Sequence, residues 1–321
     1  MDESKPINEI QFDLLENGLD FVLSALDTII NSKNETQLKY SILHLSAGVE
    51  LILKERLRNE HWSLIFENTN NANTKDLASG DFQSVNLENA LIRLQNICDV
   101  TITEKEKQYL RELRKRRNRI EHFAFKEIEP AIKSLSSKVL STIFSFITKS
   151  FDQTSLSDKS KEQIEILRKD SKQFREFVDL RLSQIKDELN EQKKESLIVK
   201  CPMCFQESFI LADVDELGCL FCGYSDKPEI VARNYIENIL GINEYYEVKS
   251  GGHFPLEECP ECGNSALVHD GDNYICFNCV EKWSGDSLNE CSDCGQLYNV
   301  KDDDVELCDN CLAYRLERFG E

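Results

Sequence analysis

The sequence predicts a multidomain protein: an all-α bundle, then a long connecting helix, then a tail of small β modules built around cysteine pairs. Three observations carry this reading. Apolar residues recur at three- and four-residue spacing through most of residues 1–150. Of the 13 cysteines, all but Cys98 fall after residue 200, and all of those stand in C-x-x-C pairs. Charge divides at the same place. Residues 201–321 carry 25 acidic and 7 basic side chains, net −18, whereas residues 1–150 carry 22 and 20. A chain of 321 residues has room for two or three domains of roughly 100–200 residues each. An apolar content of 40% supports a packed core, and 13 Gly with 6 Pro exclude a collagen-like or low-complexity chain. No apolar run reaches the ~18 residues of a membrane span, and the start MDESKPINEI is not a signal peptide. A cytoplasmic location without membrane contact is therefore expected.

The helices follow from periodicity. Residues 8–31 place Phe12, Leu15, Leu19, Val22, Leu26 and Ile29 on one face. A turn at 31–34 leads to a second helix, 35–58, with Leu38, Ile42, Leu45, Val49, Ile52 and Leu57. Residues 68–81 are polar and read as a loop. Shorter helices are expected at 87–98 and 103–123. A further one is expected at 128–150, with Pro130 in its first turn. In 158–196, Ile164, Leu167, Phe174, Val178, Leu182, Ile185 and Leu189 run close to a heptad with one irregular step. That span reads either as a helix lying on the bundle or as a two-stranded coiled coil. The expected divisions are 1–150, 151–200, 201–250 with one short helical insert, and 251–321.

The pairs are Cys201/Cys204, Cys219/Cys222, Cys259/Cys262, Cys276/Cys279, Cys291/Cys294 and Cys308/Cys311, separated by 14, 36, 13, 11 and 13 residues. Two such knuckles about 13–20 residues apart have the spacing of a four-cysteine zinc site. Thiolates two residues apart reach one tetrahedral ion. Sequential pairing makes three structural Zn²⁺ ribbons, at 201–222, 259–279 and 291–311. The 11-residue gap leaves an interleaved pairing of the last two open. Four thiolates close the coordination shell, so no catalysis at zinc is expected. Between knuckles, Leu267-Val268, Asp270-Gly271 and Tyr274-Ile275 read as strand, turn and strand. Gly223, Gly263 and Gly295 each follow the second cysteine of a pair, where a tight turn favours glycine. His253 and His269 lie near knuckles that already have their four ligands. A strongly acidic tail repels nucleic acid and suits a protein partner or trigger.

The helix at 103–123 is different. Thr103 and Glu106 form a capping box. Arg111, Arg114, Lys115, Arg116, Arg117 and Arg119 then make it basic. Leu110, Leu113, Ile120 and Ala124 form a stripe that includes Arg117, and Asn118 and His122 share a neighbouring flank with Arg111. An imidazole can move a ribose hydroxyl proton, and a guanidinium can hold a phosphate; together they suit RNA cleavage without a metal. The plain alternative is a solvated basic face.

At Arg117-Asn118-Arg119-Ile120-Glu121-His122 the chain resembles the HEPN family, in the R-N-x-x-x-H form of its R-x(4–6)-H pattern. The resemblance spans about residues 8–150 and includes the small-residue helix Leu38 to Lys54, with Gly48, Glu50 and Lys54. It implies an all-α fold and a dimer in which two motif helices form one composite site. It also implies metal-independent endoribonuclease activity in a toxin or defence setting. Arg117, Asn118 and His122 carry over as catalytic residues, and Glu50 and Arg111 as supporting ones. Ile120 stands where one variant of the family has tyrosine. The expected function is thus an RNA-cutting homodimer whose ribbons sense, bind or restrain. The alternative is a non-catalytic dimeric adaptor whose ribbons bind protein.

Overall fold

The structure, a computed structural model, describes residues 10–212, 218–252, 254–300 and 306–319. Its contacts divide it into two compact units, Met1–Ser183 and Gln184–Glu321.

The first unit is helical. Helices α1 (Leu14–Asn31) and α2 (Glu35–Glu60) form a hairpin around the apolar stripes that the periodicity predicts. Asp13 and Glu16 cap α1 reciprocally, and Asn34 caps α2. Two glycines let the helices approach. A Cβ on Gly48 would lie 2.7 Å from the Gly18 carbonyl oxygen and 2.7 Å from Val22 Cγ2. The span 68–81 is not wholly loop. Asn73 caps a short helix, α3 (Thr74–Ser79), and Gly80 ends it at a φ of 74°. Helix α4 (Leu87–Asn96) buries Leu87, Ala90, Leu91 and Leu94. Its Arg93 donates to the carbonyls of Leu64, Phe66 and Glu67, pinning the preceding loop. Helices α5 (Glu104–His122) and α6 (Glu129–Ser150) complete the core, and the capping box of Thr103 and Glu106 is present.

The predicted long connecting helix is two helices, α7 (Asp158–Ser171) and α8 (Arg175–Gln192). The break falls in the seven-residue step between Leu167 and Phe174, where Asp170 and Ser171 offer no apolar group to continue the stripe. Helix α7 lies on α1 and buries Ile164 and Leu167. Phe177, at the start of α8, meets Phe144 of α6 at 5.1 Å between ring centroids. The packing on the bundle is therefore seen for α7 and for the start of α8.

The second unit holds three small antiparallel sheets. Strands β1 (Leu197–Lys200), β2 (Glu207–Leu211) and β3 (Gly218–Cys219) form the first, in that order. The second runs β4 (Leu256–Glu257), β5 (Leu267–Asp270), β6 (Asn273–Cys276) and β7 (Lys282–Ser284). Its β5–β6 hairpin is the predicted one, with Val268 opposite Ile275 and Gly271 at a φ of 62°. Strands β8 (Leu288–Glu290) and β9 (Leu297–Asn299) pair in the third. The single expected insert is a helix, α9 (Pro228–Tyr235), continued by a π-helical turn, Ile236–Leu240. Tyr235 packs on Phe277 at 5.1 Å and donates to Asp270, and burial pushes its phenol up to about 12. Two helices were not expected, α10 (Glu244–Lys249) and α11 (Asp309–Phe319). No helix among the described residues is long and apolar enough to cross a membrane.

Candidate functional site

The twelve tail cysteines gather into three groups of four: Cys201, Cys204, Cys219 and Cys222; Cys259, Cys262, Cys276 and Cys279; Cys291, Cys294, Cys308 and Cys311. The pairing is sequential, and the interleaved alternative does not occur. Backbone geometry makes each knuckle. The residue after the second cysteine turns back so that its N–H donates to the carbonyl of the first: Phe205, Gly223, Gly263, Val280 and Gly295 do so. All five have φ between 64° and 72°. Glycine adopts that conformation freely, as the sequence suggested for three of them, whereas Phe205 and Val280 hold it against their side chains. In the sixth knuckle, Cys308/Cys311, Leu312 N–H donates to the Cys308 carbonyl in the same way, but within the helix α11 rather than at a positive φ. Amides then point at sulfur. Met203 N–H donates to Cys201 Sγ at 3.4 Å, Cys279 N–H to Cys276 Sγ at 3.4 Å and Cys308 N–H to Cys291 Sγ at 3.3 Å.

The sulfur positions fit a metal ion. Ligands at ~2.3 Å from a tetrahedral Zn²⁺ stand about 3.8 Å apart. The structure has Cys201–Cys222 at 3.7 Å, Cys204–Cys219 at 3.6 Å, Cys259–Cys279 at 3.7 Å, Cys262–Cys276 at 3.7 Å and Cys294–Cys308 at 3.8 Å. These are tetrahedral edges, far longer than the ~2.05 Å of a disulfide. Each group can therefore hold a zinc ion through four thiolates. Burial pushes the Cys204 and Cys276 thiols up, and Cys259 up to about 11. Cys291 runs the other way, to about 6, because the N–H groups of Cys308, Cys294 and Asp293 favour its thiolate. The environments are graded. All four sulfur-bearing residues of the first group are buried, two are buried in each of the others, and Cys294 of the third is exposed. His269 stacks on Tyr274 at 4.3 Å and takes no part, and His253 lies outside the described residues. Cys98 is buried.

The basic helix is anchored at one end only. Leu110 and Leu113 are the buried residues of α5, so the core-facing stripe ends one turn before Arg117. Arg117 is consequently not buried as its position in the stripe predicted, and its side chain is 41% exposed. Its guanidinium donates to Asn118 Oδ1 at 3.1 Å and pairs with Glu121 at 2.9 Å. His122 is 66% exposed, with its Nε2 3.9 Å from the same Glu121 carboxylate. Phe123 and Ile128, just beyond, are 79% and 69% exposed. Arg117, Asn118 and His122 thus stand together at an open helix end.

The two supporting residues are engaged elsewhere. Arg111 makes a forked pair with Glu88 of α4 at 3.0–3.1 Å, and Glu50 accepts from the buried Lys54 at 2.5 Å. Among the described residues neither bonds to the Arg117, Asn118 and His122 set. Arg116 pairs with Glu127 at 3.0 Å. Glu121 was missed as a partner of Arg117, although the four-residue spacing of opposite charges on a helix signals it.

The chain matches no family model, no curated protein and no solved structure.

Proposed function

We propose that the protein is a metal-independent endoribonuclease of HEPN type. In this reading it works as a homodimer in the cytoplasm, as a toxin or defence effector. Its three zinc-bound modules are structural and serve sensing, partner binding or restraint. The observation that carries the reading is the open end of α5, where a guanidinium, an amide and an imidazole are held side by side outside the core. His122 is accessible to a ribose 2′-hydroxyl or to the leaving 5′-oxygen, and proton transfer there is its role. Arg117 would exchange the Glu121 carboxylate for the scissile phosphate, whose extra negative charge it stabilises as the 2′-oxygen attacks and the bond to the 5′-oxygen breaks. Asn118 orients that guanidinium. The apolar Phe123 and Ile128 beside the set give a second copy a surface to cover, which would bring two sets to one cleft.

The test is cleavage of mixed RNA by the full chain in buffer without added divalent metal. His122→Ala and Arg117→Ala should each lower the rate by about 10²–10⁴. A brief EDTA arm, short enough to spare the zinc modules, should leave cleavage intact. Cleavage that survives both substitutions would refute the assignment.

A second reading, a non-catalytic dimeric adaptor, is favoured by one observation. Arg111, Arg116 and Arg117 already have carboxylate partners within the chain. RNA left intact by the wild-type chain under every condition would select it.

A further inference from the structure

We propose that the cleft between the second and third four-cysteine modules binds a basic side chain, an arginine or a lysine presented by a protein partner. This goes beyond the nuclease reading and does not depend on it. The cleft encloses about 400 Å³. That is near the small end of ligand pockets, room for one long side chain rather than for a helix. Its lining includes the acidic residues Glu258, Glu261 and Asp309 and the aromatic residues Trp283 and Tyr298 and, among the described residues, no lysine, arginine or histidine. It is bounded by Cys259 of one centre and Cys308 of the next. A Zn²⁺ held by four thiolates carries a net charge of about −2, so negative charge faces the cleft from both sides. Phosphate is repelled from such a place, and a cation is drawn to it.

The aromatic rings decide what kind of cation. A guanidinium or ammonium loses part of its hydration against indole and phenol faces and is compensated by their π electrons. A small hydrated metal ion has no use for them. Gln296 donates to Glu258 at 3.1 Å and holds that carboxylate at the rim. The cleft is also preformed. Leu288 of β8 is buried in one cluster with Cys259, Leu267 and Cys276 of the second module. Trp283 and Leu297 pack against that cluster, so the two modules share a core. A rigid site binds without first ordering its walls. The net −18 of residues 201–321 adds long-range attraction for a basic partner.

The experiment uses the full zinc-loaded chain with Trp62→Phe, which leaves Trp283 as the one tryptophan of the two. Its fluorescence is followed during titration with an end-capped alanine peptide bearing a central arginine. A matched peptide with citrulline in place of arginine and free spermine are the comparison probes. The arginine peptide should shift the emission and saturate, and the citrulline peptide should bind about tenfold more weakly. Glu258→Gln and Glu261→Gln are exposed rim changes that should each weaken the arginine peptide by up to about fivefold while the zinc content stays unchanged. Equal binding of the citrulline peptide, no response to the arginine peptide, or an unchanged affinity in the double variant would overturn the proposal. Spermine binding as tightly as the peptide, with the same dependence on both carboxylates, would overturn the assignment to a protein side chain. RNA cleavage is measured on separate residues, so failure of either claim leaves the other standing.

Discussion

The three metal centres should lose zinc in a fixed order, and burial sets that order. The perturbation is a thiol-reactive mercurial added in small portions to the zinc-loaded chain, with a chromogenic chelator reporting each ion released. Twelve cysteines in three groups of four predict three zinc ions per chain. In the first group Cys201 and Cys204 are 0% exposed and Cys219 and Cys222 no more than 3%, so a reagent reaches a sulfur only after that module opens locally. In the third group Cys294 is exposed and needs no opening. If local opening costs about 3 kcal/mol, attack on the first centre is slowed about a hundredfold relative to the third. The release trace should therefore show three ions in at least two phases, with the fast phase from the third centre. Cys294→Ser should remove the fast phase and leave the slow one. Simultaneous release, fast release that survives Cys294→Ser, or a total other than three ions would refute the reasoning from burial.

Two further substitutions test the packing. Gly48→Ala should destabilise the first unit. Its new methyl meets a backbone oxygen and Val22 Cγ2 at 2.7 Å, and overpacking of about 1–3 kcal/mol outweighs a helix-propensity gain of about 1 kcal/mol. Urea unfolding followed by Trp62 in a Trp283→Phe background measures this, and an unchanged or raised midpoint would contradict the close approach of α1 and α2. Val280→Gly should stabilise the second module by about 0.5–1 kcal/mol. The left-handed φ of 65° strains valine by roughly 1–2 kcal/mol, and glycine gives part of that back in chain entropy. Unfolding of the zinc-loaded chain followed by Trp283 is the readout, and a loss of stability would contradict the knuckle geometry.

Local chemistry made much of this protein legible from its residues. Alternation of apolar groups placed α1, α2, α4, α5 and α6, because a helix face in contact with a core must repeat every three to four residues. C-x-x-C spacing placed all twelve sulfurs, because two residues is the reach of one turn around an ion. Thr103 and Glu106 marked the start of α5, because a cap acts only on the neighbouring turn. Other features depended on residues distant in the chain. Periodicity put Arg117 in the apolar stripe, yet the supporting core stops at Leu113, and a helix does not record where its neighbours end. The engagement of Arg111 by Glu88 needed α4 to lie beside α5, 23 residues apart in sequence. The sequential pairing of the last two ribbons was open on spacing alone, since 11 and 13 residues span a knuckle-to-knuckle distance equally well. Folding of β5, β6 and β8 around one shared core settled it and, in doing so, left an acidic, aromatic cleft between the two modules.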